Sequence, residues 1–502
     1  MARIRTAALA TAMCLAASGA FAADLRIGLQ EDPDVLDPDQ SRTFVGRIVY
    51  ASLCDKLVDI TPGLEIIPQL ATSWEWSEDG MALTMKLREG VTFHDGEPFN
   101  AAAVAANIER SQTMPESRRK SELKSIASTE VIDDATIKFN LTAPDATLLA
   151  QLADRAGMMV APKAAAEVGV DFGLNPVCSG PFTFKERVQQ DRIVLEKFAD
   201  YWNADAIHFD TVTFLPIPDT TVRLANLRAG DLDMLERLAA TDLGSAKADA
   251  GLTVAQAVSL GYQGITLNLA NGERAKNPLG ESKLVRQALS LAIDRDVLNQ
   301  VVFEGAFAPG NQPFPPNSPW YDADYPVAAR DVEAAKAKLK EAGLESVDIE
   351  VQVANNPVQM QLMQVVQAMA AEAGINISLT AKEFATLLKD QSAGDYVASQ
   401  VGWSGRVDPD GNIHQFVTCK GGINDAKFCD PAVDAALNKA RTTTDMAERK
   451  AAYDAAQDVL MEELPLIYLY HQTWIWALDK KVSGFTAYPD GMIRLEGVSF
   501  TE

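Results

Sequence analysis

The chain has 502 residues, and at roughly 150 residues per domain this length predicts about three compact units and excludes a single small module. Hydrophobic residues make up 47% and charged residues 23%, so the chain can bury sizeable cores and is not disordered as a whole. The formal net charge of −24 repels phosphate backbones and anionic lipid surfaces, which argues against nucleic acid as a partner.

The N-terminal segment has the features of a cleaved signal peptide. Arg3 and Arg5 precede an apolar run over 7–17, and Ala20-Phe21-Ala22 provides the small residues that a signal peptidase recognises. We therefore expect residues 1–22 to be removed on export to the periplasm. Lipidation at Cys14 is disfavoured, because Met13 precedes it. Beyond this segment no run of 18 apolar residues occurs, so the sequence predicts no membrane span.

From Leu25 onwards strand-like and helical patterns alternate, which predicts an α/β architecture. Residues 81–88 alternate like a half-buried strand, and Asn100 can cap a helix over 101–110. Ser282 can cap a second helix, over 283–292. A proline-rich stretch over 309–326 separates it from a helix over 332–342 that Gly343 ends.

The clearest unit follows. The patterns predict strands over 347–353, 375–381 and 396–403, with helices over 358–373 and 384–391 between them. Such a βαβαβ unit binds ligands beyond the carboxyl ends of its strands, where Trp403 lies. Two more helices, near 431–441 and 446–462, then precede an aromatic strand predicted over 466–476.

Four cysteines remain after the signal peptide, an even number that fits disulfides in an exported protein and allows three pairings. Spacing favours a short loop between Cys419 and Cys429, which leaves Cys54 to pair with Cys178. A zinc site is the weaker interpretation, because no C-x-x-C or H-x-x-x-H spacing occurs. We expect neither a metal nor a cofactor.

Several motifs resemble those of one known family. The blocks are LATSWEWSEDG at 70–80, KLREGVTFHDG at 86–96, CSGPF at 178–182, VRQAL at 285–289, AIDR at 292–295, GW at 402–403 and DPD at 408–410. In this order they are similar to the family 5 extracellular solute-binding proteins of ABC importers, which include peptide, glutathione and nickel binders. The resemblance covers essentially the whole mature chain and does not specify the solute.

The resemblance implies a two-lobed periplasmic binding protein fold (type II, cluster C with an extra subdomain) that closes on a solute about a hinge and delivers it to a permease in the inner membrane. By analogy, residues 23–70, 165–262 and 477–502 form the first lobe, 71–164 its extra subdomain and 266–476 the second lobe. The hinge is expected near 261–264 and 477–480. We expect the mature protein to be a monomer.

Candidate ligand-binding residues follow from the same comparison. Trp403 ends a strand at the expected ligand edge, where its ring can cover a solute. Phe44, Tyr262 and Asp408 are further candidates. Arg406 stands where peptide-binding members carry an acidic residue for the peptide amine, so it can bind an anionic group of the solute or pair internally with Asp408 or Asp410.

A secreted hydrolase and a ligand-presenting sensor are the two alternative classes of protein. A secreted hydrolase would need a nucleophile or a metal, but G-x-S-x-G, H-E-x-x-H and phosphate-loop motifs do not occur. Asp408 and Asp410 flank Pro409, a spacing more typical of a turn than of paired catalytic carboxylates. A sensor that presents its ligand to a chemoreceptor would use the same fold, and the sequence does not separate it from an importer component.

Overall fold

The computed structural model describes residues 23–316 and 318–501, so the predicted signal peptide lies outside the described residues. The strands are β1 (Asp24–Leu29), β2 (Val58–Ile60), β3 (Ile66–Pro68), β4 (Ala71–Trp76), β5 (Ala82–Leu87), β6 (Ile126–Asp133), β7 (Thr136–Leu141), β8 (Phe182–Val188), β9 (Arg192–Lys197), β10 (Thr211–Pro216), β11 (Met234–Leu235), β12 (Leu252–Val258), β13 (Tyr262–Leu267), β14 (Ala308–Pro309), β15 (Val347–Ala354), β16 (Ile375–Lys382), β17 (Ala398–Trp403), β18 (Leu466–His471), β19 (Thr473–Asp479), β20 (Val482–Ser483) and β21 (Ser499–Phe500).

The helices are α1 (Phe44–Leu53), α2 (Ala101–Thr113), α3 (Leu148–Leu152), α4 (Pro162–Val168), α5 (Thr220–Ala229), α6 (Leu243–Lys247), α7 (Pro278–Glu281), α8 (Lys283–Leu291), α9 (Arg295–Phe303), α10 (Val332–Glu341), α11 (Pro357–Ala371), α12 (Phe384–Ala393), α13 (His414–Val417), α14 (Pro431–Arg441) and α15 (Met446–Glu463). In the part of the chain that the structure covers, no helix combines the length and apolarity needed to cross a bilayer.

A seven-stranded mixed sheet organises the first lobe, in the order β12-β19-β11-β1-β10-β9-β8. Strand β1 lies parallel to both β10 and β11, so the carboxyl ends of these three strands share one edge. The buried core beneath the sheet includes Ile27, Phe214 and Trp476, each at most 1% exposed. Burial of such large apolar side chains is the main favourable term that holds this lobe together.

A six-stranded sheet organises the second lobe, in the order β14-β18-β13-β17-β15-β16. The predicted βαβαβ unit is confirmed, since β15, α11, β16, α12 and β17 follow one another and β15 lies parallel to β16 and β17. Asn356 caps α11 by accepting from Gln359 N at 3.0 Å. Strands β13 and β18, which lie far from this unit in the sequence, complete the sheet.

A separate four-stranded antiparallel sheet, in the order β4-β5-β7-β6, packs with α2 around its own core. The predicted cap of α2 is present, with Asn100 Oδ1 accepting from Ala103 N at 2.9 Å. Ser282 does not cap α8 with its side chain, although the predicted helix forms there. The strand predicted over 81–88 is therefore present as β5, and the helices predicted over 101–110 and 283–292 are present as α2 and α8, with slightly different ends.

The chain passes between the two large sheets at two places. The first is the segment 259–261 between β12 and β13, and the second is Gln472 between β18 and β19. The single strand predicted over 466–476 is thus wrong, because its two halves pair in different sheets. Gly261 is required at the first place, since a Cβ there would lie 1.8 Å from Trp403 O. The first crossing adjoins the predicted hinge segment 261–264, whereas 477–480 lies at the end of β19 and just after it.

Both predicted disulfides are confirmed. Cys54, at the end of α1, is bonded to Cys178, with a sequence separation of 124. Cys419 is bonded to Cys429, with a separation of 10, and closes a loop of the second lobe. Each bridge joins segments within one lobe, so neither opposes movement between the lobes.

Candidate functional site: a cavity between the lobes

A cavity of about 90 Å³ lies between the two large sheets, within about 910 Å³ of space that contains no atoms and includes open solvent. Residues from both lobes line it, and several directly follow or end strands at a carboxyl edge: Gln30 and Glu31 after β1, Arg237 after β11, Ala354 of β15 and Trp403 of β17. This is the position at which open α/β sheets bind ligands. The arrangement defines a ligand-binding cavity.

Aromatic side chains form the apolar part of the wall. Trp403 is 8% exposed, packs edge-on against Phe416 with ring centroids 4.9 Å apart, and donates from Nε1 to Asn412 Oδ1 at 3.0 Å. Phe44, at the start of α1, stacks on Trp474 with centroids 4.5 Å apart. Because each ring is fixed by a neighbour, these surfaces can contact an apolar group of a solute without reorganising.

A buried cluster of charged groups lies at one end of the cavity. It contains four arginines and two carboxylates, all at most 6% exposed: Arg47, Arg119, Arg155, Arg406, Glu122 and Asp154. Arg119 and Arg155 line the cavity, and both donate to Ser41 O, at 3.3 and 2.9 Å. Arg119 also pairs with Glu122 at 2.5 Å. The other three arginines share Asp154, so the cluster holds two more positive charges than carboxylates.

The electrostatics of this end favour an anionic ligand. Burial and the neighbouring Arg119 together lower the pKa of Arg155 to about 10. The surrounding arginines, with Arg406 and Arg47 foremost, hold the pKa of Asp154 far below its usual range against the effect of burial. Arg155 thus keeps its charge at neutral pH, and a carboxylate or phosphate in the cavity would compensate the surplus.

Among the described residues that line the cavity, Glu31 is the single acidic side chain. It is 7% exposed, and its Oε1 has no hydrogen-bond partner in the described part of the chain. Burial raises its pKa to about 8, with Arg237 opposing the shift. Glutamine side chains form much of the remaining polar wall: Gln30, Gln263, Gln359, Gln400, Gln415 and Gln472.

Of the five predicted ligand-binding residues, Trp403 and Phe44 line the cavity. Tyr262 lies directly behind this wall, because it is the cross-strand partner of Trp403 and packs edge-on against Tyr468 at 4.7 Å. It is 1% exposed and is not one of the lining residues. The structure therefore brings three of the candidates to one region but gives Tyr262 a packing position.

Arg406 and Asp408 are not lining residues either. Arg406 Nε lies 2.8 Å from Asp154 Oδ2, and its guanidinium stacks on the Trp403 ring at 4.1 Å. Asp408 pairs with Arg449 at 2.6 Å, and Asp410 pairs with Arg441 at 2.6 Å. The hypothesis that Arg406 faces the solute is thus not supported by this geometry. Arg406 does pair internally, but its partner is Asp154 rather than Asp408 or Asp410.

The sequence reasoning missed Arg119 and Arg155. One signal was available for the first, a run of three basic residues over 118–120 in an otherwise acidic chain. Arg155 gave no local signal, since its contact with Ser41 O spans 114 residues. Among the described residues no group of three or more His, Cys, Asp or Glu side chains is placed to hold a metal ion.

The two lobes and the cavity between them define a binding protein that encloses a solute. Residues 65–424 match the bacterial extracellular solute-binding proteins, family 5 (middle region), and the chain belongs to this family. It is a solute-binding protein rather than an enzyme.

Two curated proteins similar to the chain are named for glutathione and for dipeptides. The glutathione-binding protein GsiB of Pectobacterium atrosepticum is 31% identical over 481 residues, which cover 93% of this chain and 92% of that protein. The dipeptide-binding protein of Escherichia coli K12 is 30% identical, covering 89% of each chain.

Two solved structures have a similar fold. The dipeptide-binding protein of Pseudoalteromonas sp. SM9913 in complex with Met-Leu superposes with a TM-score of 0.88 at 25% identity, covering 95% of this chain and 100% of that one. The binding protein AgaA of A. tumefaciens R10 in complex with agropinic acid gives a TM-score of 0.86 at 27% identity, covering 95% and 99%.

Proposed function

We propose that the chain is the periplasmic component of an ABC importer, acting as a monomer that captures a peptide-like or other small organic solute with a carboxylate and delivers it to an inner-membrane permease. The observation that carries this proposal is Arg155, which lines the cavity and donates to Ser41 O at 2.9 Å. It lies 3.9 Å from Asp154, a carboxylate that Arg47 and Arg406 already share. A solute carboxylate would receive charge-assisted hydrogen bonds there.

Several further observations support the proposal. Trp403, Phe416 and Phe44 give an apolar surface beside the arginines, which suits the side chains of a peptide-like solute. Relatives in the family include proteins named for glutathione and dipeptides, and an ABC transporter-associated periplasmic protein of Helicobacter pylori, 25% identical, was solved with a peptide. The predicted signal peptide over 1–22 agrees with export.

The test is a thermal-shift screen of the purified chain against dipeptides, glutathione and opine-type acids, followed by calorimetry on Arg155→Ala. We expect hits that carry a carboxylate, and a loss of about 10–150-fold in affinity for the variant, because a charge-assisted contact is worth about 1.5–3 kcal/mol. Arg155→Lys should recover only part of the loss, since Lys lacks the planar fork.

The matched control is Arg228→Ala, because Arg228 pairs with Asp249 at 3.1 Å on the surface of the first lobe. Its affinity should equal that of the wild type. Hits without any anionic group, or an Arg155→Ala variant that binds as tightly as the wild type, would contradict the proposal.

A further inference from the structure

A second pocket lies within the second lobe, separate from the cavity between the lobes. This second-lobe pocket measures about 460 Å³ and lies between α8, the segment 324–329, the end of α15 and β18. Of the described residues that line the pocket and the cavity, none lines both. Small-molecule sites in proteins have volumes of about 300–1,000 Å³, so the pocket is large enough for a ligand of its own.

A buried arginine without a carboxylate partner lines the second-lobe pocket. Arg295 is 5% exposed, and no carboxylate of the described residues pairs with it. Its Nε donates to Gly310 O at 3.0 Å and Tyr468 O at 2.9 Å, and its terminal nitrogens donate to Ser290 O at 3.3 Å and Ser290 Oγ at 3.1 Å. A guanidinium has five N–H donors, so one N–H on each terminal nitrogen has no acceptor among the described residues.

The missing partner distinguishes Arg295 from other buried arginines of the same lobe. Arg441 pairs with Asp410 and Arg449 with Asp408, each at 2.6 Å. Burial lowers the pKa of Arg295 to about 10, so the guanidinium keeps its charge at neutral pH. A buried charge is costly unless it is paired, and the described residues do not supply the counter-charge.

Asn311 is a second unsatisfied group of the pocket. It is 9% exposed, its Nδ2 donates to Tyr325 O and Pro326 O at 3.0 Å each, and its Oδ1 is buried without a donor among the described residues. Because Nδ2 is held by two carbonyls, Oδ1 is left as an acceptor. Lys338 and an exposed Asp324 are the further charged residues of the lining, so its positive charges outnumber its negative ones.

Apolar side chains form most of the remaining wall of the second-lobe pocket. They include Leu291, Pro326, Ala329, Met461, Leu464 and Ile467. A mainly apolar wall with a few placed polar groups is typical of a site for a small organic molecule. The unsatisfied groups specify that molecule further, since Arg295 lacks an anion and Asn311 lacks a donor.

We propose that the second-lobe pocket binds a free amphiphilic hydroxy acid, in addition to the solute of the cavity between the lobes. The carboxylate accepts from Arg295, the hydroxyl donates to Asn311 Oδ1, and the alkyl chain packs on the apolar wall. The two polar groups of the ligand are close together, because Arg295 Nε donates at 3.0 Å to the carbonyl of Gly310, the residue before Asn311.

The experiment is calorimetry at pH 7 with 2-hydroxyoctanoate as the probe. Octane-1,2-diol lacks the carboxylate and should bind about 10–150-fold more weakly, because a charge-assisted contact is lost. Octanoate lacks the hydroxyl and should bind about 2–10-fold more weakly, because Asn311 Oδ1 keeps no donor. Arg295→Lys keeps a positive charge without the planar fork, so it should also weaken the probe, and its melting curve shows whether it folds.

Three further variants locate the probe. Ala329→Trp fills the second-lobe pocket from an exposed position and should abolish binding of the probe. Ala250→Trp makes the same change at an exposed position of the first lobe that lines neither space, and should bind like the wild type. Arg155→Ala removes a charge from the cavity between the lobes, and the probe should still bind to it.

Each contrary result overturns the inference. A wild type that does not bind the probe, or an Ala329→Trp variant that binds it normally, means that the second-lobe pocket is not its site. If Arg155→Ala abolishes binding, the probe occupies the cavity between the lobes instead. If the diol binds as tightly as the hydroxy acid, Arg295 has a structural role alone, and if octanoate does, the hydroxyl contact with Asn311 is wrong. The proposed solute-binding function stands in all these cases, because its own test uses other ligands and the other site.

Discussion

At the scale of single residues, Asp154 determines which of the neighbouring arginines is engaged in a salt bridge and which remains available to a ligand. It accepts from Arg47 Nε at 3.2 Å and lies 2.8 Å from Arg406 Nε, so these two guanidinium groups are used in a buried network. Arg155 lies 3.9 Å from the same carboxylate, and within the described part of the chain its guanidinium has only Ser41 O as a closer partner. Structural and ligand-binding roles are thus divided within one cluster of arginines.

The first prediction contrasts Arg406 with Arg155. Arg406→Ala should lower the free energy of unfolding by about 1–3 kcal/mol, because Asp154 loses a charged partner and Trp403 loses its stacked guanidinium. Affinity should change much less than in Arg155→Ala, since Arg406 is not a lining residue and lies beside the crossing at 259–261, where closure moves atoms least. Chemical denaturation and calorimetry on both variants check this. An Arg406→Ala variant that unfolds normally but fails to bind would contradict the assignment.

The second prediction concerns the stability of the solute-free protein. The Glu31 carboxyl has an ordinary pKa of 4.5 and a folded-state pKa of about 8, so the folded chain holds a proton that the unfolded chain releases between these pH values. Stability contributed by the neutral acid is present at pH 4 and is lost as the pH rises to 8. Glu31→Gln should therefore melt close to the wild type at pH 4 and above it at pH 8.5. If the melting temperatures of Glu31→Gln and the wild type differ by the same amount at both pH values, the raised pKa of Glu31 is refuted.

At the same scale, the sequence pointed to two residues of the cavity wall, Trp403 and Phe44, but not to the arginines that line it. Trp403 was predictable because it ends a strand of a recognisable βαβαβ unit, and position along a strand is a local property. The role of Arg406 was not, because its partner Asp154 is brought near by packing between lobes. Side chains that meet across the fold leave no periodic pattern in the sequence.

At the scale of elements, local signals predicted helices and failed where the chain changes sheets. Helix α14 begins at Pro431 after the cap Asp430 and ends at Arg441, as its pattern indicated. The two halves of 466–476, by contrast, are buried almost throughout, and the polar triplet His471-Gln472-Thr473 between them contains neither Gly nor Pro. A fully buried strand shows no alternation, so without a turn residue the two halves look like one strand.

The third prediction is that the two disulfides contribute differently to stability and to solute affinity. By chain entropy the bond between Cys419 and Cys429 contributes about 3 kcal/mol and the bond between Cys54 and Cys178 about 5 kcal/mol. The shorter loop, however, contains Ile423 of the cavity wall and Asp425, which contacts Arg42 of the first lobe at 2.6 Å. The Cys419→Ser/Cys429→Ser variant should thus lose less stability but more solute affinity than Cys54→Ser/Cys178→Ser.

Thermal melting and calorimetry on the two double variants test this reversed order. Asn424 stabilises the short loop by donating to Thr418 O at 2.9 Å. Without the disulfide the loop should therefore keep its fold and become more mobile at the tip. If both double variants lose affinity in proportion to their loss of stability, the short loop has no special part in binding.

At the scale of the whole molecule, the lobes touch each other directly as well as around the cavity. Arg42 of the first lobe donates to Leu388 O at 3.2 Å and pairs with Asp425 of the second, and Ala146 N donates to Arg441 O at 2.8 Å. These contacts hold a closed arrangement. A solute adds its own contacts to both lobes, and the apparent affinity depends on how much of the free protein is already closed.

The last prediction is that the pair Arg42 and Asp425 sets this closed fraction. The two side chains are 12% and 8% exposed, so their attraction is only partly screened by solvent. Asp425→Asn removes that attraction and leaves Arg42 and the nearby Arg118 to repel one another, which should open the solute-free protein and lower solute affinity by the same factor as the closed fraction. Small-angle scattering without solute should give a larger radius of gyration for this variant than for the wild type. Asp249→Asn is the control, because its partner Arg228 belongs to the same lobe. Equal radii for all three proteins, with unchanged affinity, would mean that the solute alone closes the lobes.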